Sequence, residues 1–404
     1  MRILELFSGY GSQALALENL GIDFTSDISE IDKYAIQAYD QLHGATHNWG
    51  DICKIDETQL PYYDLITYSS PCQDFSVAGL QKGGDAGTGT RSSLLWECER
   101  IIRAVKPKYL LMENVKNLVG ERHKHNFIKW LKVLESLGYQ NFWKVLNAKD
   151  YGVPQNRERV FVVSIFGGGQ YLFPNPIKLE KRLKDVLESN VDEKYYLSSK
   201  TINMFLRRNE LNKAKGNGFK FETANINSYA SAITTRAEAR ADDNFIQEPQ
   251  VINPLAGKTE YGWHFEQEVY DDNGIARAAK AGGGSGNIPK VMQLGNIVET
   301  DSFGGNPQCG RIYSDNGLSP TLNTMQGGGR EPKILKNYRI RKLTPRECWR
   351  LMGVKDEQFN KLHDISNTQL YKMAGNSIVV DVLMGIFKNL FLSDDGTSGQ
   401  LTLL

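Results

Sequence analysis

Cysteine is scarce. The 404 residues contain five, at Cys53, Cys72, Cys98, Cys309 and Cys348. The count is odd and no pair has Cys-x-x-Cys spacing, which argues against a disulfide framework and a structural zinc site; reduced thiols and no bound metal are expected. Long apolar runs are missing too. None approaches the ~20 residues needed to cross a bilayer, so no membrane partner is expected. The stretch from Met1 to Phe7 carries Glu5 among its apolar residues and lacks the sections of a signal peptide, so the expectation is a cytoplasmic protein. Net charge is low: 48 Lys and Arg against 47 Asp and Glu leave +1. That neither supports nor excludes nucleic-acid binding, because a local basic face suffices. Lys336, Arg339, Arg341, Lys342 and Arg346 form one basic stretch, and a plain solvated surface is the competing reading.

What is present is the profile of a soluble globular chain, 40% hydrophobic and 24% charged, long enough for two domains or for one carrying an insert. The first ~165 residues alternate between strand and helix patterns. Arg2 to Phe7 reads as a strand, and Ala14, Leu15, Leu17 and Leu20 as a helical stripe that Gly21 stops. A short strand near Phe24 precedes a helix from about Asp32 to Leu42. Strands are expected at Asp64 to Ser69, Tyr109 to Met112 and Val160 to Ile165, and helices at Leu94 to Val105 and Phe127 to Leu137. Such alternation implies an α/β fold with a mostly parallel sheet covered on both faces. Ligands of such sheets bind beyond the carboxyl ends of the strands. Gly9, Cys72 and Glu113 all fall there and are expected to share one crevice.

Between about Leu172 and Pro332 the alternation fades and Gly, Asn, Asp and Thr increase. A repeat recurs at an offset of 43: Val269-Tyr270-Asp271-Asp272-Asn273-Gly274-Ile275 matches Ile312-Tyr313-Ser314-Asp315-Asn316-Gly317-Leu318. Pro289-Lys290-Val291 matches Pro332-Lys333-Ile334 in the same register, and glycine clusters sit at 282–284 and 327–329. Two copies are too few for a solenoid; hairpins of short strands joined at Asn-Gly turns are expected. Regularity returns with Thr344-Pro345-Arg346-Glu347, a capping box with Pro at the first helical position, and Gly353 closes that helix. A last helix is expected from about Ile378 to Leu392. The expected divisions are 1–171, 172–335 and 336–404.

Three motifs carry chemistry. Gly9-Tyr10-Gly11 with Ala14 has the Gly-x-Gly-x-x-Ala form, and Glu30 lies about 20 residues on, where a carboxylate can hold ribose hydroxyls. NAD, FAD and S-adenosylmethionine all fit, as does a plain strand-to-helix turn. A cysteine after a buried strand is ordinarily an inert core thiol. Cys72, however, follows the stiffening Pro71 and precedes a loop rich in Gly and Lys (Gly79, Lys82, Gly83, Gly84, Gly87, Gly89), which suits an attacking thiol under a closing lid. Glu113 ends another buried strand, where a carboxylate is costly unless paired or used. Arg157 and Arg159 alternate on an incoming strand and are expected to reach the same crevice; a structural ion pair is the plainer alternative.

The chain resembles the DNA cytosine C5-methyltransferase family over nearly its full length. The motifs Phe7-Ser8-Gly9-Tyr10-Gly11, Pro71-Cys72-Gln73, Glu113-Asn114-Val115, Gln155-Asn156-Arg157-Glu158-Arg159, Leu343-Thr344-Pro345-Arg346-Glu347-Cys348 and Gly375-Asn376-Ser377 occur in the family's order. The resemblance implies a Rossmann-like S-adenosylmethionine-dependent methyltransferase domain, split by a smaller, irregular, β-rich target-recognition region and rejoined by the C-terminal segment. It implies double-stranded DNA as partner and S-adenosylmethionine as cofactor. Cys72 would add to C6 of a flipped-out cytosine, Glu113 would serve N3, Arg159 would fix O2, and Arg157 would favour the thiolate or hold a phosphate. Phe7, Gly9, Gly11, Glu30, Ile31, Asp51, Ile52, Pro71, Leu94 and Asn376 would surround the cofactor, with Asp51-Ile52 at the adenine. Ile31 stands where some members carry an aromatic, and Glu5 replaces a common Asp. A monomer is expected, with any cognate restriction endonuclease forming no stable complex with it. The competing functions are an RNA cytosine C5-methyltransferase, a catalytically inactive DNA-binding relative, and an NAD-dependent dehydrogenase that would leave Cys72, Glu113 and the arginines without a role.

Overall fold

The computed structural model describes residues 1–69, 94–214, 221–235, 239–240, 243–249, 251–252, 269–270, 290–291, 293–296, 311–313, 333–334 and 338–392. The fold starts from strands whose side chains are buried on both faces. In β1 (Arg2–Leu6) every residue after Arg2 is buried, and β4 (Leu65–Tyr68) is buried throughout. Such strands must be covered on both sides, as in a parallel sheet flanked by helices. The chain runs from β1 through α1 (Ser12–Asn19), β2 (Thr25–Ser29), α2 (Lys33–His43) and β3 (His47–Asn48) to β4. It continues through α3 (Leu95–Val105), β5 (Tyr109–Val115), α4 (Lys124–Ser136), β6 (Tyr139–Asn147), β7 (Gln155–Asn156) and β8 (Glu158–Phe166).

The sheet order is β3-β2-β1-β4-β5-β8-β6. Strands β3 to β5 are parallel, and β8 runs antiparallel to both β5 and β6. The α/β, mostly parallel architecture agrees with the pattern of the sequence. After β1 the chain fills one side of the sheet and then crosses to β4 on the other. This makes a switch point between β1 and β4, where such sheets hold ligands. β6 lacks a clean signal because it is an edge strand whose burial does not alternate regularly.

The C-terminal segment adds α6 (Pro345–Arg350), α7 (Asp356–Phe359), α8 (Asn367–Asn376) and α9 (Val380–Phe391), numbered after the helix α5 (Ser199–Ala214). The expected capping box is formed: Thr344 and Glu347 cap each other's backbone, and Gly353 ends the element at φ +81°. Residues 367–391 have the length and apolarity of a membrane span. They are nevertheless two helices, broken by extended backbone at Ser377 and Val379, and α9 buries Val380, Val382, Leu383, Ile386, Phe387 and Leu390. Gly375 and Asn376 form the last turn of α8 rather than a loop.

Two compact units divide the chain: residues 1–190, 225–244 and 343–404 form one, and 191–224 with 245–342 form the other. Residues 225–244 are tied to the sheet unit, with β9 (Ala230–Ser231) pairing in parallel with β7. The second unit contains α5, a helix the sequence pattern did not reveal. It also pairs β10 (Phe245–Pro249) with Tyr338–Lys342, which becomes β17 after the six short strands below.

Those six strands are β11 (Val251–Ile252), β12 (Val269–Tyr270), β13 (Lys290–Val291), β14 (Gln293–Asn296), β15 (Arg311–Tyr313) and β16 (Lys333–Ile334). The repeat is structural. β12 pairs with β13 as β15 pairs with β16, with Val269 opposite Lys290 and Ile312 opposite Lys333. Each pair takes an antiparallel neighbour, β11 or β14. Both repeated pairs are parallel, so they are not the expected hairpins, because a tight turn cannot join parallel neighbours; the Asn-Gly steps at 273–274 and 316–317 lie outside the described residues.

Candidate active site

The turn after β1 is held in a conformation that favours glycine. Gly9 and Gly11 have φ +58° and +80°, and Phe7 also has positive φ. The two glycines do different work. A Cβ on Gly11 would stand 2.6 Å from the Tyr39 ring and from His43 Nε2, so Gly11 lets α2 pack against the turn. A Cβ on Gly9 would meet nothing within 4 Å among the described residues, so the backbone there borders space free of them. Phe7 packs against the core cluster beneath the sheet.

Glu30, just beyond β2, braces the turn. Its Oε2 accepts from the Gly9 N–H at 2.9 Å, and its Oε1 accepts from the N–H groups of Ile31 and Asp32 at 2.8 and 2.9 Å. A carboxylate has about four acceptor positions, so one remains for a ligand hydroxyl. Asn48 fastens the next segment beside it: its Oδ1 accepts from the N–H groups of Glu30 and Gly50, and its amide donates to the Glu30 carbonyl. Asp51 therefore follows close to Glu30, with Oδ1 accepting from the Cys53 N–H. The Ile31 side chain is 73% exposed and offers an apolar face. Ile52 is buried in the core cluster, so any ligand contact there falls to its backbone. Leu94 is partly buried against the same cluster, and Asn376 is exposed at the end of α8. An acceptor for hydroxyls, an exposed apolar side chain and space over a glycine free of the described residues fit an adenosyl group.

Glu113 lies within β5, not beyond it. β4 and β5 place Tyr68 opposite Met112, which sets Ser69 at the level of Glu113. Burial pushes the Glu113 carboxyl above its usual range, opposed by Arg159, Arg157 and the Ser69 hydroxyl. Arg159 reaches it because β8 sets Arg159 opposite Val115, two residues along and on the same face. The Arg159 Nε to Glu113 Oε1 distance is 3.1 Å.

For Arg157, expected to favour the thiolate or hold a phosphate, the described residues show contacts to backbone carbonyls. It is 3% exposed, and its guanidinium donates to the carbonyls of Ile233, Gly375 and Ser377 at 3.2, 2.8 and 2.7 Å. Gln155, fully buried, accepts from the Ile233 N–H and donates to the Leu351 carbonyl. Together they pin segments 233, 351 and 375–377 to the start of β8. Sequence reasoning assigned no role to Gln155, Asn48 or His43; Gln155 was visible only as part of a motif.

In the basic stretch near 340, the solvated-surface reading fails for Arg341, and Arg339, Arg341 and Arg346 are each paired with a carboxylate. Arg339 pairs with Glu193 and stacks on Tyr196, Arg341 is fully buried against Glu248 at 2.7 Å, and Arg346 lies 3.3 Å from Glu188. Pro71, Cys72 and the Gly/Lys loop after them lie outside the described residues, as does Lys336.

Residues 1–392 match the family described as C-5 cytosine-specific DNA methylase. The chain is 36% identical over 380 residues to the type II methyltransferase M2.ScrFI of Lactococcus lactis subsp. cremoris, covering 93% of this chain and 80% of that one. It is 32% identical to the orphan methyltransferase M.SPRI of Bacillus phage SPR, covering 96% and 97%. Among solved structures, the fold is similar to the Entamoeba histolytica methyltransferase EhMeth (TM-score 0.63, 16% identity, 96% and 97% covered). It is also similar to the S. pombe Dnmt2 methyltransferase (TM-score 0.56, 17% identity, 96% of each). With the family match spanning the glycine turn, Glu113 and the Arg157–Gly375 tie alike, the chain belongs to the C-5 cytosine-specific DNA methylases, enzymes that depend on S-adenosylmethionine.

Proposed function

We propose that this enzyme is a DNA (cytosine-5-)-methyltransferase that methylates one cytosine within a specific duplex sequence, acting as a monomer through transient covalent catalysis by Cys72. S-Adenosylmethionine supplies an electrophilic methyl group when bound; Glu30, Ile31 and the Gly9 turn, with Asp51, would hold its adenosyl part. Cytosine C5 is a weak nucleophile. Addition of the Cys72 thiolate to C6 raises electron density at C5, and the charge that builds on the ring is met by a proton at N3. Glu113 suits that task because burial favours its protonated form. Arg159 keeps the carboxyl oriented and can donate to the cytosine O2. Once C5 carries the methyl, loss of its proton and expulsion of Cys72 restore the aromatic ring. A stacked base does not expose C6, so the cytosine must leave the duplex, at a cost of a few kcal/mol.

The observation that supports this most is the buried Glu113–Arg159 pair on neighbouring strands, level with the residues leading into Pro71-Cys72. The test uses an oligonucleotide duplex with 5-fluorocytosine at the target, where the fluorine blocks elimination. A denaturation-resistant adduct that Cys72→Ala does not form is expected. Binding of the duplex and of S-adenosylmethionine without any adduct in the wild type would exclude the mechanism. A companion restriction endonuclease, if encoded nearby, would share the recognition sequence without binding this chain.

A further inference from the structure

We infer that His43 is a positioning residue that fixes the cofactor turn only while both of its ring nitrogens carry protons. The inference rests on reading Gly9-Tyr10-Gly11 as part of the S-adenosylmethionine site. His43 ends α2, and its side chain is 4% exposed. Its Nδ1 is 2.6 Å from Glu18 Oε1 on α1, and its Nε2 is 3.1 Å from the carbonyl oxygen of Tyr10, the residue between the two glycines. Both partners only accept. A neutral imidazole has one N–H, so it can serve one of them; the imidazolium serves both.

The ring sits directly under the turn. The place a Cβ would take on Gly11 is 2.6 Å from His43 Nε2, and the Tyr39 and His43 rings lie 4.5 Å apart. The turn thus has two tethers, Glu30 on the Gly9 N–H and His43 on the Tyr10 carbonyl. When one proton is lost, the carboxylate of Glu18 is the stronger acceptor and retains the remaining N–H. The Nε2 lone pair then faces the Tyr10 oxygen, and that tether becomes a repulsion. Among the described residues, other titratable and charged groups near the ring are Glu5 of β1, reached through the Tyr39 hydroxyl at 2.6 Å, and Lys361, whose Nζ donates to the Leu42 carbonyl.

The experiment is calorimetric titration of the full-length enzyme with S-adenosylmethionine at about pH 6 and about pH 9. His43→Gln keeps an N–H donor toward Tyr10 that does not titrate. Taking the ratio of wild-type to His43→Gln affinity cancels the ligand's own ionisation. The wild-type advantage is expected to fall about fivefold from the lower to the higher pH, the equivalent of one hydrogen bond, and Glu5→Gln is expected to leave that fall intact. A ratio that does not change with pH, or a fall abolished by Glu5→Gln, overturns the inference. Gly9→Val separates the two readings: undiminished binding by that variant means the turn is not the cofactor site, whatever His43 does. Should His43→Gln fail to fold, nitrogen chemical shifts of the wild-type His43 ring at pH 6 decide. Two protonated nitrogens are expected, and a single neutral tautomer overturns the inference.

Discussion

Arg159 Nε stands 3.1 Å from Glu113 Oε1 across the β5–β8 pair, in surroundings that leave both side chains mostly buried. The two contribute opposing electrostatics. Burial raises the Glu113 carboxyl toward neutrality, while Arg159, followed by Arg157, favours its charge. This carboxyl is held near the end of a strand rather than on a loop.

Glu113→Gln should therefore remove proton transfer while preserving shape. Single-turnover methylation is expected to slow by about 10²- to 10⁴-fold, with S-adenosylmethionine affinity unchanged. The wild-type rate should also decline as pH rises through the raised carboxyl range, because the protonated acid is the working form. A Gln variant with wild-type turnover would remove Glu113 from the chemistry.

A second buried carboxylate should govern stability rather than catalysis. Glu5 is fully buried in β1, and desolvation raises it from 4.5 to about 7 despite the Tyr39 hydroxyl and nearby His43. With the folded value above the unfolded one, folding is favoured at low pH and weakens from about 4.5 upward, levelling off above about 7. Glu5→Gln is expected to match the wild type near pH 4.5 and to be more stable by about 3 kcal/mol above pH 8. Urea unfolding at the two pH values measures this, and a difference independent of pH would contradict it.

Much of the sheet unit is legible in the sequence because strands such as β4 and the start of β5 are largely apolar and glycines follow several of its helices. Gly21 and Gly353, both at positive φ, stop their elements where the pattern predicts. The legible part of the site is what adjoins strand ends: Gly9, Glu30 and Glu113. The backbone contacts of Arg157 were not legible, because these three carbonyls lie 76, 218 and 220 residues away. Sequence spacing cannot distinguish a guanidinium that faces a phosphate from one that ties loops together. The repeat at 269 and 312 was legible as a repeat but not in its pairing, since neighbouring turn residues suggested hairpins while the strands align in parallel.

Arg157→Ala tests that distinction. Three carbonyls would lose a charged donor, at about 1 kcal/mol or more each, so stability should fall by about 3 kcal/mol. An arginine that contacts phosphate would instead add to the salt dependence of DNA binding, by close to one unit of slope. The slope is expected to be unchanged in Arg157→Ala, measured at a temperature where the variant is folded. A shallower slope with native stability would restore the phosphate role.

The two glycines of the turn should separate under the same substitution. Alanine at Gly11 would place a methyl 2.6 Å from the Tyr39 ring and from His43 at φ +80°, so α2 must move or the turn must open. Overpacking of this kind costs about 1–3 kcal/mol, in addition to about 1–2 kcal/mol for left-handed backbone, and thermal denaturation should show the loss. Alanine at Gly9 meets only the backbone cost, because its methyl enters space free of the described residues. If that space belongs to the cofactor, Gly9→Ala should lose S-adenosylmethionine affinity by more than its small loss of stability explains. Equal losses of stability in the two variants would mean that α2 yields to the Gly11 methyl, and unaltered affinity in Gly9→Ala would place the ligand elsewhere.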